Sequence, residues 1–347
     1  MTILFTAEPL QSLHAGHWFK LICGASYQSL PAVRNLTLAY ALAGADCIDI
    51  AADPAVLAAA QDGLDAAKRI LSESSFADWL SDSDLPDGSA YKQPLLMVSV
   101  SAGEDPHFRK AWFDAARCPA DCARPCEQVC PADAIDGKGV VRDRCYGCGR
   151  CLPICPLGLI AAQSQPTSID AIAQRTLSQV SALEIHTQVG QYQAFRQLWQ
   201  AISPWTKHLR LISISCPDGD DLIDYLKLLR QTMNLDSSRT MLLWQTDGRP
   251  MSGDIGKGTT HAAVRLAQKV LASDLGEPVQ LAGGTNQYTV LKLRELGLWT
   301  PSNRSLTGHR SVSGIAYGSY ARRLLMPVLE QTHYLEEVPQ ALQSAVA

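Results

Sequence analysis

CPADCARPCEQVCPADAIDGKGVVRDRCYGCGRCLPIC, residues 118–155, is the stretch that decides what kind of molecule this chain is. It holds eight of the eleven cysteines in the sequence, and the other three, Cys23, Cys47 and Cys216, are scattered. A disulfide framework would spread its cysteines along the chain, and a reducing compartment disfavours disulfides. The crowding of the cysteines therefore predicts a metal-binding module.

The second half of this stretch gives the kind of metal site. Cys145, Cys148, Cys151 and Cys155, followed by Pro156, form a C-x2-C-x2-C-x3-C-P run. That run is the spacing of bacterial ferredoxins, whose fourth cysteine ligates the other of two clusters. The intervening Gly147 and Gly149 allow the backbone to wrap closely around a cuboidal [4Fe–4S] cluster.

The first half repeats this design with wider spacing. Its first two gaps hold three residues instead of two, its last step is again C-x3-C-P, and PADAI (131–135) matches PLGLI (156–160). The repeat predicts two [4Fe–4S] clusters with crossed ligands. We expect one cluster on Cys130, Cys145, Cys148 and Cys151, and the other on Cys118, Cys122, Cys126 and Cys155. A zinc site is the disfavoured alternative, because a zinc site does not require a Cys-Pro step at the end of each motif. The widened motif leaves open a [3Fe–4S] or labile first cluster.

The flanking sequence predicts an α/β fold. Helix-period segments lie between most of eight β-rich runs, at 18–25, 47–53, 94–101, 183–188, 208–216, 239–247, 279–283 and 313–318. Eight strands in βα order predict a TIM-like (β/α)8 barrel with the ferredoxin-type module inserted after strand 3. An open doubly wound sheet is the alternative. The predicted division is residues 1–113 and 166–332 for the barrel, 114–165 for the module and 333–347 for a C-terminal tail.

Glycine turns after the last two strands predict a phosphate site. Barrels commonly bind phosphate with the loops after strands 7 and 8. In this chain those loops contain Gly283, Gly284, Thr285, Gly318 and Ser319. FMN or another phosphate-bearing ligand is the expected occupant, and ordinary βα turns are the alternative.

Polar residues on the strands predict a second set of mouth groups. Because helices cover the outside of a barrel, polar strand residues point inward or lie at strand ends. We expect acid–base or ligand-contacting roles for Lys20, Asp49, Glu184 and His186, or else a polar layer that satisfies itself. Ser99, Ser213, Ser215 and Gln245 join this inward set. Cys216 is a candidate reactive thiol at the end of a strand.

Charge and hydropathy exclude several classes of partner. A net charge of −4 over 347 residues gives no field for binding nucleic acid or an anionic membrane. No apolar run reaches the ~20 residues of a membrane span, and the first residues lack the pattern of a secretory signal. These features predict a cytoplasmic protein without a membrane span.

The motifs resemble one known family. CPADCARPCEQVCPADAI (118–135) and CYGCGRCLPICPLGLI (145–160), with LHAGHWFKLICGAS (13–26) before them, resemble the cyanobacterial light-dependent period family, LdpA. The resemblance covers essentially the whole chain, and the widened cysteine motif is its most specific part. It implies an iron–sulfur protein that adjusts circadian period to light through cellular redox state, with circadian clock proteins as partners. The eight cysteine ligands carry over, and no catalytic residues do.

Two functional hypotheses follow. The first is a redox sensor whose clusters equilibrate with an electron carrier or a quinone and present a changed surface to a clock protein. The second is an oxidoreductase that passes electrons from the clusters to a flavin or phosphorylated ligand in the barrel. The resemblance favours the non-enzymatic sensor, and the polar mouth keeps the enzyme hypothesis open.

Overall fold

Side-chain alternation explains why the predicted strands form. In the run Cys47–Ala51, Ile48 and Ile50 pack outward in the main apolar core, while Asp49 points to the other face. In the run Leu211–Pro217, Ile212 and Ile214 do the same. Each strand therefore has one apolar face for covering helices and one face that lines the barrel interior.

The computed structural model describes residues 9–72, 92–103, 108–130, 132–145, 147, 149–164, 175–249, 256, 258–299, 311–329 and 332–346. The strands are β1 Trp18–Ile22, β2 Cys47–Ala51, β3 Leu95–Ser101, β4 Arg109–Trp112, β5 Ile135–Asp136, β6 Gly139–Val140, β7 Ala161–Ser164, β8 Ala182–His186, β9 Leu211–Pro217, β10 Met241–Asp247, β11 Val279–Ala282 and β12 Gly314–Tyr317. The α-helices are α1 Pro9–Ala15, α2 Leu30–Leu42, α3 Pro54–Ser72, α4 Pro125–Val129, α5 Cys151–Ile154, α6 Tyr192–Ile202, α7 Leu222–Met233, α8 Thr260–Leu271, α9 Thr289–Glu295, α10 Ser319–Leu329 and α11 Pro339–Val346.

Eight of these strands close into a barrel in the order β1-β12-β11-β10-β9-β8-β3-β2. Every neighbouring pair is parallel, and closure is made where Trp18 of β1 pairs with Gly314 of β12. The predicted TIM-like barrel is therefore confirmed, and the open doubly wound sheet is excluded. The carboxyl ends of all eight strands face one mouth, where barrel active sites lie.

The cysteine module interrupts the barrel between β3 and β8, as predicted. Its ends are tied together by the antiparallel pair β4–β7, and β5 and β6 form a small hairpin within it. The short helices α4 and α5, one from each cysteine motif, pack against each other. Because β3 ends at the mouth, the chain enters the module from the face that carries the candidate site, and it returns to the opposite end of the barrel to begin the parallel strand β8.

Residues after α10 pack onto α2 of the barrel. Arg34 forms ion pairs with Asp62 and Glu336, and its guanidinium lies 4.6 Å from the centre of the Tyr334 ring. Leu335 and Leu342 are fully buried. Across the described helices, none is both long enough and apolar enough to cross a membrane.

Candidate functional site

Three of the predicted ligand cysteines line one enclosed cavity in the module. Cys145 and Cys151 come from the second motif, and Cys130 comes from the end of the first. The cavity has a volume of about 130 Å³, and alanine, isoleucine and leucine side chains form most of its remaining wall. Gly147 and Gly149 also line it, both with positive φ (71° and 74°), a conformation that a side chain would disfavour. The chain thus wraps around a space bordered by thiols from both motifs.

Backbone N–H groups point at the sulfurs in a repeated pattern. The N–H of Ala134 donates to Cys130 Sγ at 3.2 Å, and the N–H of Leu159 donates to Cys155 Sγ at 3.4 Å. The donor lies four residues after the cysteine in both cases, so the sequence repeat is also a structural repeat. Such bonds favour the charged thiolate, the form that ligates metal.

The fourth cysteine of the second motif lies near the first motif. Burial raises the pKa of Cys118, and the nearby Cys122 and Cys155 raise it further. Burial also raises the pKa of Cys126, to which Cys155 again adds. Cys126 lies on α4 and Cys155 directly follows α5, and these two helices pack against each other, as crossed ligation requires.

The widened gap in the first motif contains a strained residue. Arg124, between Cys122 and Cys126, has φ 47°, in the left-handed region that only a few per cent of non-glycine residues adopt. Cys118 and Cys122 are half-buried, whereas Cys145 and Cys151 are buried. The first motif is thus both wider and more open than the second, as its spacing predicts.

The donor set fits an iron–sulfur cluster better than a single ion. Thiols, apolar walls and N–H donors to sulfur are the environment of such clusters. Among the described residues, no three His, Cys, Asp or Glu side chains form a group that could hold one metal ion. Each thiol of a cuboidal cluster binds a different iron, so its ligands stand farther apart than those around one zinc ion. Cys148 lies outside the described residues.

Inside the barrel, the predicted inward residues Gln245, Glu184 and Lys20 form one hydrogen-bonded chain with Trp18 and Gln280, which the sequence did not single out. Trp18 Nε1 donates to Gln280 Oε1 at 2.6 Å, and Gln280 Nε2 donates to Gln245 Oε1 at 2.5 Å. Gln245 Nε2 then donates to Glu184 Oε1 at 2.7 Å. Glu184 forms an ion pair with Lys20, which is fully buried. The sequence leaves open whether these groups satisfy one another, and in the structure a large part of them does.

The ionisable groups at the end of this chain have opposite pKa shifts. Burial raises the pKa of Asp49 to about 7, although Lys20 lowers it. Burial also acts to raise the pKa of Glu184, but Lys20 and His186 hold it at about 2. Lys20 Nζ contacts Glu184 directly and lies 3.9 Å from Asp49 Oδ2, so Glu184 receives the larger share of its positive charge. Asp49 Oδ1 accepts a hydrogen bond from Ser99 Oγ at 2.7 Å.

A cavity of about 50 Å³ at the mouth brings together most of the remaining predicted residues. Of the acid–base candidates, Asp49, Glu184 and His186 line it, and Lys20 lies deeper among them. The lining also includes all five predicted phosphate-site residues, Gly283, Gly284, Thr285, Gly318 and Ser319. Asp247 and Arg322 complete its charged wall.

Several contacts between described residues join the module to the barrel mouth. The Phe108 ring meets the His186 imidazole edge-on, with centroids 5.2 Å apart. Lys110 Nζ donates to the Arg142 carbonyl oxygen and to Gln28 Oε1, both at 2.7 Å. Gln28 lies in the loop after β1, and its Nε2 donates to Asp53 Oδ2 at 3.2 Å in the loop after β2.

Sequence reasoning missed several of these residues. Arg322 lies three positions after Ser319, so the Ser-x-x-Arg spacing at the start of the last barrel helix was the available signal. Phe108 and Lys110 had no such signal, because their partners are far away in sequence. The structure also argues against Cys216 as a reactive thiol, since burial raises its pKa to about 12.

The comparisons with known proteins agree with this architecture. The LdpA Fe-S cluster-binding domain matches residues 118–166, and the Light dependent period A C-terminal domain matches residues 175–347. The protein named Light dependent period A of Synechococcus elongatus is 53% identical over 343 residues, covering 97% of this chain and 90% of that protein. Two uncharacterized ferredoxins of Methanocaldococcus jannaschii match shorter parts. One is 48% identical over 40 residues (10% of this chain, 26% of the ferredoxin), and the other is 32% identical over 83 residues (20% and 50%).

These matches establish an iron–sulfur cluster-binding domain inserted in a parallel eight-stranded barrel. The similarity to the Synechococcus protein extends through both the module and the barrel. The chain belongs to the Light dependent period A family.

Proposed function

We propose that this protein is a redox sensor that carries two [4Fe–4S] clusters and couples cellular or photosynthetic redox state to the period of the circadian clock. The observation that carries the proposal is the 130 Å³ cavity lined by Cys130, Cys145 and Cys151. Its lining combines cysteines from both motifs, which is the arrangement that crossed two-cluster ligation needs. The name of the Synechococcus relative supports a role in light-dependent period control.

The proposed ligand sets are those predicted from the spacing. Cys130, Cys145, Cys148 and Cys151 hold one cluster, and Cys118, Cys122, Cys126 and Cys155 hold the other. When bound, each cluster supplies one-electron redox chemistry, at a potential set by burial and by hydrogen bonds to sulfur. The N–H groups of Ala134 and Leu159 provide such bonds in this chain.

The two sets have different proposed roles. Cys118 and Cys122 are half-buried, so the set that contains them is the entry point for electrons from a soluble carrier or a quinone. Cys145 is buried, and its Sγ accepts from the N–H of Ala111 on β4, one residue after the Lys110 bridge to the barrel. A change of charge on the cluster held by the Cys145 set is therefore the one that can be transmitted to the barrel.

The barrel is the proposed output surface. A change of charge in the module acts on Lys110, whose ammonium joins the Arg142 carbonyl to Gln28 of the barrel. A changed position of the loops that hold Gln28 and Asp53 then presents a different surface to a clock protein in the cytoplasm. This step requires no catalysis.

The sensor proposal is tested in cells and in solution. A Cys126→Ser variant replaces the native protein in a cyanobacterium that carries a relative, and the circadian period is measured at two light intensities. We expect the dependence of period on light to weaken or vanish, together with loss of iron from the purified variant. Cys216→Ala, outside the module, is the matched control. An unchanged dependence on light in a variant shown to have lost the cluster that Cys126 ligates would overturn the proposal.

A second candidate function is an oxidoreductase that passes electrons to FMN or another phosphate-bearing ligand. The specific observation in its favour is the mouth cavity, which unites Asp49, Glu184 and His186 with the glycine turns. Absorption spectroscopy and mass analysis of anaerobically purified protein separate the two candidates. Stoichiometric flavin supports the enzyme, and its absence supports the sensor.

A further inference from the structure

We propose that the barrel mouth binds a small phosphorylated compound rich in hydroxyl or N–H groups, with its phosphate between the start of α10 and Arg322. The inference deepens the second candidate function by naming the ligand class, and it does not depend on whether electrons reach the ligand. It rests on how charge is distributed around the cavity. Arg322 and the start of α10 lie on the β12 side, and the carboxylates of Asp49 and Glu184 lie on β2 and β8, while Asp247 at the end of β10 adjoins the Gly283 turn.

The anion-binding side is built around a fixed guanidinium. Arg322 is only 4% exposed, and its Nη1 donates to the carbonyl oxygens of Ile22 and Cys23, both at 2.8 Å. Its Nη2 donates to Ser319 Oγ at 3.0 Å. These bonds hold the side chain against the cavity wall, so no side-chain entropy is lost when an anion binds beside it.

Backbone groups add to this side of the cavity. Helix α10 begins at Ser319 and has 11 residues, so its first N–H groups and its dipole favour an anion. The turn after β11 places Gly283 and Gly284 against the same cavity, both in the left-handed region (φ 66° and 93°). Thr285 fixes this turn to β12, because its Oγ1 donates to the Ala316 carbonyl oxygen at 2.6 Å. The guanidinium and the helix start together suit a phosphate.

The opposite side selects the rest of the ligand. Asp49 and Glu184 present carboxylate oxygens to the cavity, and a second anionic group would be repelled there. Hydroxyl or N–H groups would instead donate to these oxygens. A ligand that carries a phosphate at one end and donors at the other matches both sides.

A buried hydroxyl lies inside the barrel near Glu184. Ser213 alternates with Ser215 on β9, so it also points into the barrel, and it pairs in register with Glu184. Ser213 is fully buried, and within the described part of the chain its Oγ has no hydrogen-bond partner. Buried polar atoms are nearly always hydrogen-bonded, and a water between the strands would satisfy this hydroxyl. The enclosed 50 Å³ has room for a group of phosphate size.

The binding test uses ligand pairs that differ only in the phosphate. Full-length, anaerobically purified protein is titrated with FMN and riboflavin, and with ribose 5-phosphate and ribose, and thermal shift and calorimetry are the readouts. We expect at least one phosphorylated member to bind at least tenfold more tightly than its partner. If neither phosphorylated compound binds, or if both members of each pair bind equally, the proposal is wrong.

The site is tested with Ser319→Asp. An aspartate here accepts from Arg322 and is favourable at a helix start, so the fold is retained and its carboxylate occupies the place proposed for the phosphate. We expect phosphate-dependent binding to weaken at least tenfold in Ser319→Asp and less than threefold in Ser319→Ala. Arg323→Gln, an exposed arginine on the same helix, is the matched control and should bind as the wild type does.

The controls also separate this proposal from the cluster proposal. Iron and acid-labile sulfide are measured in every variant and should be unchanged, because the module is a separate part of the chain. Wild-type affinity in a folded Ser319→Asp protein would overturn the assignment of the phosphate to this place. Absence of iron from the purified wild-type protein would instead contradict the cluster proposal.

Discussion

Phe108 covers His186 edge-on, with 5.2 Å between the ring centroids and 83° between the ring planes. Phe108 immediately precedes β4, and the N–H of Ala111 on that strand donates to Cys145 Sγ at 3.4 Å. One short run of chain therefore contacts both a predicted cluster ligand and the barrel mouth. Three residues of extended chain span about 10 Å, so the two candidate sites are close neighbours.

The first prediction concerns the number and ligation of the clusters. We expect about eight iron atoms and about eight acid-labile sulfides per chain, from two complete four-cysteine sets. Cys130→Ser should damage the same cluster as Cys145→Ser, although Cys130 belongs to the other motif. Electron paramagnetic resonance of the reduced single and double variants measures this, because the double variant should retain the signal of the second cluster.

Cys155→Ser is the matched comparison for that experiment. Crossed ligation predicts that it disturbs the Cys118 cluster and leaves the Cys145 signal intact. If Cys130→Ser and Cys145→Ser together remove both signals, each motif holds its own cluster and the crossed assignment is wrong. Stoichiometric zinc without labile sulfide would refute the iron–sulfur chemistry itself.

The second prediction concerns the order in which the clusters are lost in air. Cys118 and Cys122 are half-buried, and the neighbouring Arg124 has strained backbone, so this set should be oxidised first. Absorption and resonance spectra during controlled exposure to air are compared for Cys122→Ser and Cys145→Ser, each of which retains one cluster. We expect the cluster that remains in Cys145→Ser to decay at least threefold faster. Equal lifetimes would show that exposure does not set the order.

Local patterns explain how much the sequence could predict. Cysteine spacing is read within one motif, and the period-2 alternation of Ile48, Ile50, Ile212 and Ile214 is read within one strand, so both the module and the barrel were predictable. The predicted inward residues Lys20, Asp49 and Glu184 follow from the same alternation. The family resemblance then added the expected biological role.

The contacts that join these parts could not be predicted in the same way. The bond from Trp18 to Gln280 exists only after the barrel closes, because 262 positions separate the two residues. The Phe108–His186 contact depends on how the inserted module folds back over the mouth. Arg322 and Arg323 are adjacent on one helix, and only the structure distinguishes the buried arginine from the exposed one.

The third prediction tests the bridge between module and barrel. Lys110 is 3% exposed and donates to the Arg142 carbonyl and to Gln28. Lys110→Met keeps the aliphatic length of the side chain and removes both hydrogen bonds. We therefore expect the free energy of unfolding to fall by about 1.5–3 kcal/mol per charged hydrogen bond removed, partly offset by the lower cost of burying methionine. Hydrogen exchange should increase in the Gln28 loop and around Arg142. The control is Lys138→Met, at an exposed position in the module. Equal hydrogen exchange in the two variants would show that the Lys110 bridge does not couple the module to the barrel.

The fourth prediction concerns pH and the buried carboxylates. The pKa of Asp49 is raised from 3.8 to about 7, chiefly by burial. Between those values the folded protein keeps a proton that the unfolded chain releases, so this group's contribution to stability is full below pH ~4 and is lost as pH rises to 7. Glu184 has the opposite effect on stability. Because its pKa is lowered from 4.5 to about 2, its contribution to stability is present above pH 4.5 and is lost as the pH falls towards 2. Of these two carboxylates, only Asp49 changes its contribution above pH 5.

Asp49→Asn isolates that contribution. Asparagine keeps the oxygen that accepts from Ser99 Oγ but does not titrate, so the stability of the variant relative to the wild type should rise between pH 5.5 and pH 7.5, by more than ~1 kcal/mol. Apparent unfolding midpoints of anaerobic protein, at a fixed scan rate, measure this difference. Asp65→Asn, at an exposed position on α3, is the control and should show no such trend. A constant difference between Asp49→Asn and wild type across this range would mean that Asp49 is already ionised in the folded protein at pH 5.5, with Lys20 shared between two carboxylates.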